Sequence, residues 1–233
     1  MKALLLAAGL GTRLRPLTNT IPKCMVPVRG RPLLDYWLDL LLSAGIEQLL
    51  VNTHYLPDVV REFVRSSQWE ARIKLAHEDH LLGTGGTILK NRAFLEKDAF
   101  LVAHADNLTQ FDVNAFLGRH QNRPVGAEIT MMTFDTDAPH TCGIVEEDSH
   151  GMVIAFHEKV TNPPGIRANA AVYILEPSVI DFLGILGKEV IDLSTEVIPR
   201  FLGRICTFHN AGYHRDIGTP ESLLKAEAEF LKQ

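Results

Sequence analysis

Hydrophobic and polar positions along the chain follow two rhythms. Ala3 to Ala8 is an unbroken apolar run that stops at Gly9, and Ala99 to Ala105, apolar except for His104, stops at Asp106. Short runs without alternation predict strands covered on both faces, because a half-exposed strand would carry polar residues at every other position. Leu33, Leu34, Trp37, Leu38, Leu41 and Leu42 recur at helical spacing between Pro32, suited to a first helical turn, and Gly45. Gln48 to Asn52 then predicts a buried strand, Pro57 to Val64 a helix and Arg72 to Ala76 a strand. Farther on, Asp112 to His120 reads as a helix, Glu128 to Phe134 and Ala170 to Leu175 as strands, Pro177 to Leu186 and Thr195 to Leu202 as helices, and Arg204 to Phe208 as a strand. Thr219-Pro220-Glu221 opens a last amphipathic helix with Leu223, Leu224, Ala228 and Leu231 inward.

Strands alternating with helices imply right-handed βαβ crossovers and a largely parallel sheet, with ligands gathered at the carboxyl ends of the strands. A chain of 233 residues, 46% hydrophobic and 22% charged, is long enough for one sizeable α/β domain covering residues 1–233. Its net charge of -5 and pI near 6.0 disfavour a nucleic-acid surface, so any cationic site must be local. Cys24, Cys142 and Cys206 form no C-x-x-C pair, and an odd count argues against a disulfide scaffold and for a reducing cytoplasm. The run Ala3 to Ala8 is shorter than the roughly 7–15 residues of a signal-peptide core, and no apolar run approaches the roughly 18 of a membrane span. A soluble, cytoplasmic protein without membrane association is therefore expected.

The chemistry concentrates where the first strand ends. Gly9, Gly11, Arg13, Arg15 and Lys23 form a glycine-bearing cationic loop, in which backbone amides can approach an anion and the side chains supply countercharge. Gly9 to Leu14 lacks the last glycine of G-x-G-x-x-G, and no Walker spacing is present. Asp106, at the end of the most apolar strand, is suited to a hard cation such as Mg²⁺, although an aspartate there also serves as a helix cap. His77-Glu78 fails the H-E-x-x-H zinc pattern at Leu81. Asp135-Thr136-Asp137, closely followed by Pro139, reads as a surface turn, and Glu158-Lys159 by itself is an ordinary surface pair.

Leu6 to Thr18, reading LAAGLGTRLRPLT, followed by Pro22-Lys23-Cys24-Met25-Val26-Pro27-Val28, resembles the signature of the sugar-1-phosphate nucleotidylyltransferases. The resemblance spans nearly the whole chain and implies a Rossmann-like α/β/α sandwich with a mixed, largely parallel central sheet, residues 1–110 serving mainly the nucleotide and 111–233 mainly the sugar phosphate. It implies that Leu6, Ala7, Ala8, Gly9, Gly11 and Thr12 wrap the triphosphate, that Arg13 binds it, and that Lys23 stabilises charge at the attacked phosphate. Leu82 to Gly86 is similar to the family's L-G-T-A/G-G segment, which assigns Gly83, Thr84 and Gly85 to the nucleotide and places Glu78 where relatives read the base. Asp106 and Asp216, the latter in Gly212 to Glu221, match the two Mg²⁺ carboxylates. Asn107, Gly143, Glu158, Lys159 and Asn169 match sugar-phosphate ligands. Ala105, Cys142, Val160 and Ala171 depart from the family pattern, and Cys142 and Val160 bear on the shape of the acceptor pocket.

The reaction so implied joins a nucleoside triphosphate and a sugar 1-phosphate into a nucleotide-sugar and pyrophosphate, with guanylyl or uridylyl transfer to a hexose- or heptose-type sugar the favoured form and thymidylyl transfer open. Relatives form homo-oligomers, and the sequence ends without a hexapeptide β-helix, as short members do. Alkylation of Cys24, beside Lys23, is expected to block the phosphate site. A phosphocholine cytidylyltransferase would need a cage for a quaternary ammonium, usually aromatic, of which the segments around Glu158 and Asn169 give little sign. A D-x-D glycosyltransferase leaves Arg13, Lys23 and Asp216 unexplained, and a silent nucleotide-sugar-binding regulator would be expected to lose one of these groups.

Overall fold

The computed structural model describes residues 1–230, so the expected inward Leu231 lies outside the described residues. The chain winds through two compact units, one made of Met1–Leu81, Ala103–Phe111 and Gly212–Gln233, the other of Leu82–Val102 and Asp112–Ala211. The strand Phe100–His104 begins in the second and ends in the first.

In the first unit, Lys2–Leu6, Gln48–Thr53 and Ile73–His77 run parallel, with Leu4 opposite Leu50 and Val51 opposite Leu75. The end of Phe100–His104 lies on the other side of Lys2–Leu6. Ala3, Leu4, Leu5, Leu49, Leu50 and Val51 are wholly buried, which is why these strands lack polar alternation. Helix Leu33–Ser43 buries Leu33, Leu34, Trp37, Leu38, Leu41 and Leu42, the stripe read from the sequence. Each such side chain contributes roughly 1.5–3 kcal/mol by leaving water.

Two short strands, Asn107–Thr109 and His214–Asp216, pair antiparallel with Asn107 opposite Asp216. This ribbon brings the two ends of the chain's chemistry together. Helix Pro220–Glu229 follows, capped by Thr219 in a reciprocal pair with Ser222. Its inward row is Leu223, Ala226 and Phe230, packed with Leu14, Val26, Val28, Leu33, Leu108 and Ile217. Leu224 is 70% exposed and Ala228 also faces out, contrary to the expected phase, because Ala226 and Phe230 occupy the row below Leu223.

In the second unit, Ile129–Asp135 pairs antiparallel with Arg167–Leu175 and parallel with Ile205–His209. Gly143–Glu147 pairs antiparallel with Val153–Glu158 and meets Arg167–Leu175 at Ile144 and Ala168. The helices are Gly83–Lys90, Arg92–Leu95, Val113–Gln121 and Pro177–Ile185. The helix expected over Thr195 to Leu202 is instead a π-turn, Leu193–Val197, followed by a 3-10 turn, Ile198–Arg200. Asp192 caps the π-turn through the Thr195 amide at 2.9 Å, and Pro199, lacking an amide hydrogen, prevents a regular continuation. Asp135, closing its strand, pairs with Arg167 at 2.9 Å, and Asp137 is exposed, so D-x-D occupies a surface turn as expected.

Candidate active site

The first unit brings together a glycine loop with basic side chains and a pair of carboxylates. After Leu6 the chain leaves the sheet through buried Ala7 and Ala8 and emerges at exposed Gly9. Gly11 adopts φ +61°, and a side chain there would sit 3.0 Å from Thr18 Cγ2 and 3.1 Å from Lys23 Cβ. Only glycine takes both that conformation and that crowding without strain. Thr18 Oγ1 donates to Gly11 O at 2.7 Å and pins the loop. Among the described residues, no acceptor takes the amides of Gly9 to Thr12. The loop therefore offers consecutive N–H groups, with the 68%-exposed Arg13 beside them, as an anion nest.

Lys23 is the centre of the charge arrangement. Its ammonium is nearly buried and reaches Asp106 Oδ2 at 2.7 Å and Asp216 Oδ1 at 2.9 Å. Burial by itself would lower the Lys23 pKa, but the two carboxylates outweigh it and hold it above its ordinary value. Burial would likewise raise Asp106; Lys23, helped by His104, holds that carboxyl below its ordinary value. The Asp216 side chain is 54% exposed against 27% for Asp106, so water screens the Asp216 contact more strongly. Arg13 Nη2 lies 3.8 Å from Asp216 Oδ2, and buried Gly218 leaves room for both, since a Cβ there would sit 2.7 Å from the carboxylate and 2.8 Å from the guanidinium.

Asp106 and Asp216 thus present carboxylate oxygens around one positive nitrogen, a hard-oxygen donor set that fits a divalent cation. Ala105 is fully buried and its amide donates to Leu6 O at 3.0 Å, so the departure from glycine leaves the strand pairing intact. Burial weighs against the alkylation expected at Cys24. It is 1% exposed, and burial, with Asp106 adding to it, pushes its thiol up to about 12, which leaves little thiolate at neutral pH.

A second polar row lies at the ends of the parallel strands. Buried Glu78 accepts from Asn52 Nδ2 at 3.0 Å, while Asn52 Oδ1 accepts from the Ala7 amide at 2.7 Å. Asn52 therefore joins the entry of the anion loop to the expected base-reading carboxylate. Sequence reasoning missed it, although an asparagine in the apolar run Leu49 to Thr53 was the available signal. Asn107 is buried, and its carbonyl accepts from Trp37 Nε1 at 2.8 Å, a second contact that periodicity alone did not reveal.

The second unit carries the remaining expected residues. The amides of Gly85 and Gly86 donate to Ile191 O at 2.8 and 3.3 Å, and Thr84 Oγ1 accepts from the Leu193 amide at 2.7 Å. Gly83 and Gly86 are required by space, since a Cβ would lie 2.5 Å from Ile191 O and 2.2 Å from Glu189 O. Gly143 stands opposite Glu158, and a Cβ on it would meet Phe156 at 2.3 Å and Glu158 Oε2 at 2.7 Å. Lys159 Nζ pairs with Glu158 at 3.0 Å but is 65% exposed. Asn169 lies on the next strand, where the register slips before Tyr173 and Ala171 takes φ +53°. Gly143, Glu158 and Asn169 thus fall on neighbouring strands.

No helix of the described residues is long and apolar enough to cross a membrane. The sequence profile of the nucleotidyl transferase family matches residues 2–233. Mannose-1-phosphate guanylyltransferase of Mycobacterium tuberculosis is 36% identical over 235 residues, 99% of this chain and 64% of that protein. UTP–glucose-1-phosphate uridylyltransferase of Synechocystis is 32% identical over 216 residues, 87% of this chain and 55% of that protein. The chain therefore spans between about half and two thirds of the length of these relatives. The structure of HddC from Yersinia pseudotuberculosis with GMP-PN superposes at a TM-score of 0.82 with 25% identity, covering 98% of this chain and 99% of that one. With its glycine loop, lysine and paired aspartates inside a match that runs from residue 2 to 233, the chain belongs to the nucleotidyl transferase family.

Proposed function

We propose that this protein transfers a nucleotidyl group from a nucleoside triphosphate to a sugar 1-phosphate, releasing pyrophosphate. The observation that carries the reading is Lys23 held between Asp106 and Asp216 next to an anion nest with open amides. Two polyanions must meet, so charge neutralisation and alignment decide the rate, and no covalent protein nucleophile is needed. The sugar phosphate is itself the nucleophile and is ionised near neutral pH. The amides of Gly9 to Thr12 and Arg13 bind the departing pyrophosphate oxygens. Lys23 counters charge that builds at the α-phosphate as the bond forms. Glu78, oriented by Asn52, reads the base edge, and Gly143, Glu158 and Asn169 hold the sugar while Lys159 binds its phosphate.

Asp106 and Asp216 would hold Mg²⁺, which supplies Lewis-acid neutralisation of the phosphate oxygens. Relatives that transfer guanylyl to mannose 1-phosphate and uridylyl to glucose 1-phosphate support those two substrate pairs as the first choices. A cytoplasmic setting fits, since the substrates are nucleotides and the three cysteines are free thiols. Homo-oligomerisation stays part of this reading because relatives of the resembled family assemble.

Pyrophosphate release measured across GTP, UTP, dTTP, CTP and ATP against several sugar 1-phosphates and phosphocholine tests the reading. One strong pair, abolished by EDTA and restored by Mg²⁺, is the expected result. Activity with phosphocholine alone, or nucleotide-sugar binding without any turnover, would replace it.

A further inference from the structure

The support behind Asn169 reaches past the residues a ligand would touch. The Ala171 amide donates to Asn169 Oδ1 at 2.9 Å, and Asn169 Nδ2 donates to the Tyr173 phenol oxygen at 2.6 Å. A backbone N–H can only donate, so the atom facing Ala171 is the carboxamide oxygen and the amide orientation is determined by chemistry. One Nδ2 hydrogen and one Oδ1 lone pair then remain, in fixed directions, for a sugar hydroxyl.

Tyr173 is 2% exposed and so does not itself present a ligand surface. A buried phenol needs a polar partner, and Asn169 Nδ2 supplies it. Burial, only partly opposed by the hydrogen bond from Asn169, pushes the phenol's pKa up and keeps it neutral.

Given the nucleotidyl transfer proposed above, we infer that Tyr173 is a positioning residue for the sugar 1-phosphate. Its phenol oxygen on one side and the Ala171 amide on the other fix the Asn169 carboxamide in a single orientation. Loss of the phenol hydroxyl should then weaken sugar binding in the ground and transition states alike, which raises KM without lowering kcat.

The test is steady-state kinetics of Tyr173→Phe, Tyr173→Met, Asn169→Ala and the Tyr173→Phe/Asn169→Ala double variant, with each substrate varied in turn. For Tyr173→Phe, KM for the sugar 1-phosphate should rise about five- to tenfold, as for one lost hydrogen bond, with kcat and the KM for nucleotide within about twofold. Tyr173→Met, which also removes the acceptor oxygen, should raise the same constant and carries the test if Tyr173→Phe does not fold. Asn169→Ala and the double variant should have the same sugar KM, because the phenol acts only through that carboxamide. An unchanged sugar KM, equal rises in both KM values, or additive losses in the double variant would overturn the role of Tyr173. An unsubstituted protein silent with every substrate pair would instead remove the proposed reaction, and the role of Tyr173 with it.

Discussion

Lys23 and its two carboxylates set the expectations at the residue scale. Lys23→Ala removes the one buried cation of the clamp, and kcat should fall by about 10²–10³ or more, the range for a lost electrostatic group in a catalytic site. Asp106→Asn should have an effect of similar size; full pyrophosphate release by either variant would contradict the assignment. Ala171 carries a different signature. A non-glycine residue at φ +53° is strained, so Ala171→Gly should raise stability by about 0.5–1 kcal/mol in urea titration. Unchanged stability would mean that the bulge relieves the strain by another route. The sequence made Lys23, Asp106 and Asp216 legible because each sits in an extended motif. It did not reveal Asn52, whose hydrogen bonds reach Glu78 and Ala7 on other segments, or Tyr173, whose bond to Asn169 depends on a register slip within one strand.

At the element scale, the entry of helix Gly83–Lys90 is fastened to residues 189–193 by backbone contact. Glycine there was read as an approach to a nucleotide, yet the structure gives it a packing reason as well: Gly86 has no room for a methyl group beside Glu189 O. Gly86→Ala should therefore cost about 1–3 kcal/mol, as overpacking does, with the loss seen as a lower denaturation midpoint. A neutral substitution would show that the 189–191 segment yields easily. Periodicity recovered the helix Leu33–Ser43 because its apolar stripe is continuous. It misplaced the inward face of Pro220–Glu229, where alanines and leucines lie on both sides and only packing chooses between them.

For the whole molecule, acid should be destabilising from a defined cause. His120 is 2% exposed, with Nδ1 2.7 Å from Thr130 Oγ1 and Nε2 3.0 Å from Glu176. Burial first, and Arg123 second, outweigh Glu176 and hold its pKa below the ordinary 6.5. The unfolded chain then binds this proton more readily than the native one. Stability is full above about 6.5 and falls as pH drops through that value towards the lowered native pKa. His120→Gln should flatten the decline of Tm between about pH 7 and 5.5, and an identical slope in both proteins would show that His120 does not contribute. Nucleotide with Mg²⁺ should act oppositely, adding about 2.7 kcal/mol at a hundredfold excess over Kd, visible as a raised Tm that EDTA abolishes.

The sequence by itself determined the alternation of buried strands and amphipathic helices and the place of the phosphate loop. Both are local: apolar runs lack partners in water, and glycine with neighbouring cations suits an anion wherever the chain carries them. Tertiary structure alone decided which polar side chains support that chemistry. Pairing of Asn107–Thr109 with His214–Asp216 brings Asp216 to Lys23, 193 positions away in the chain. Burial then changes what those side chains are: Lys23 becomes a retained cation, Cys24 an inert thiol and Tyr173 a fixed acceptor, because desolvation and partner charge depend on what surrounds a group rather than on its neighbours in sequence.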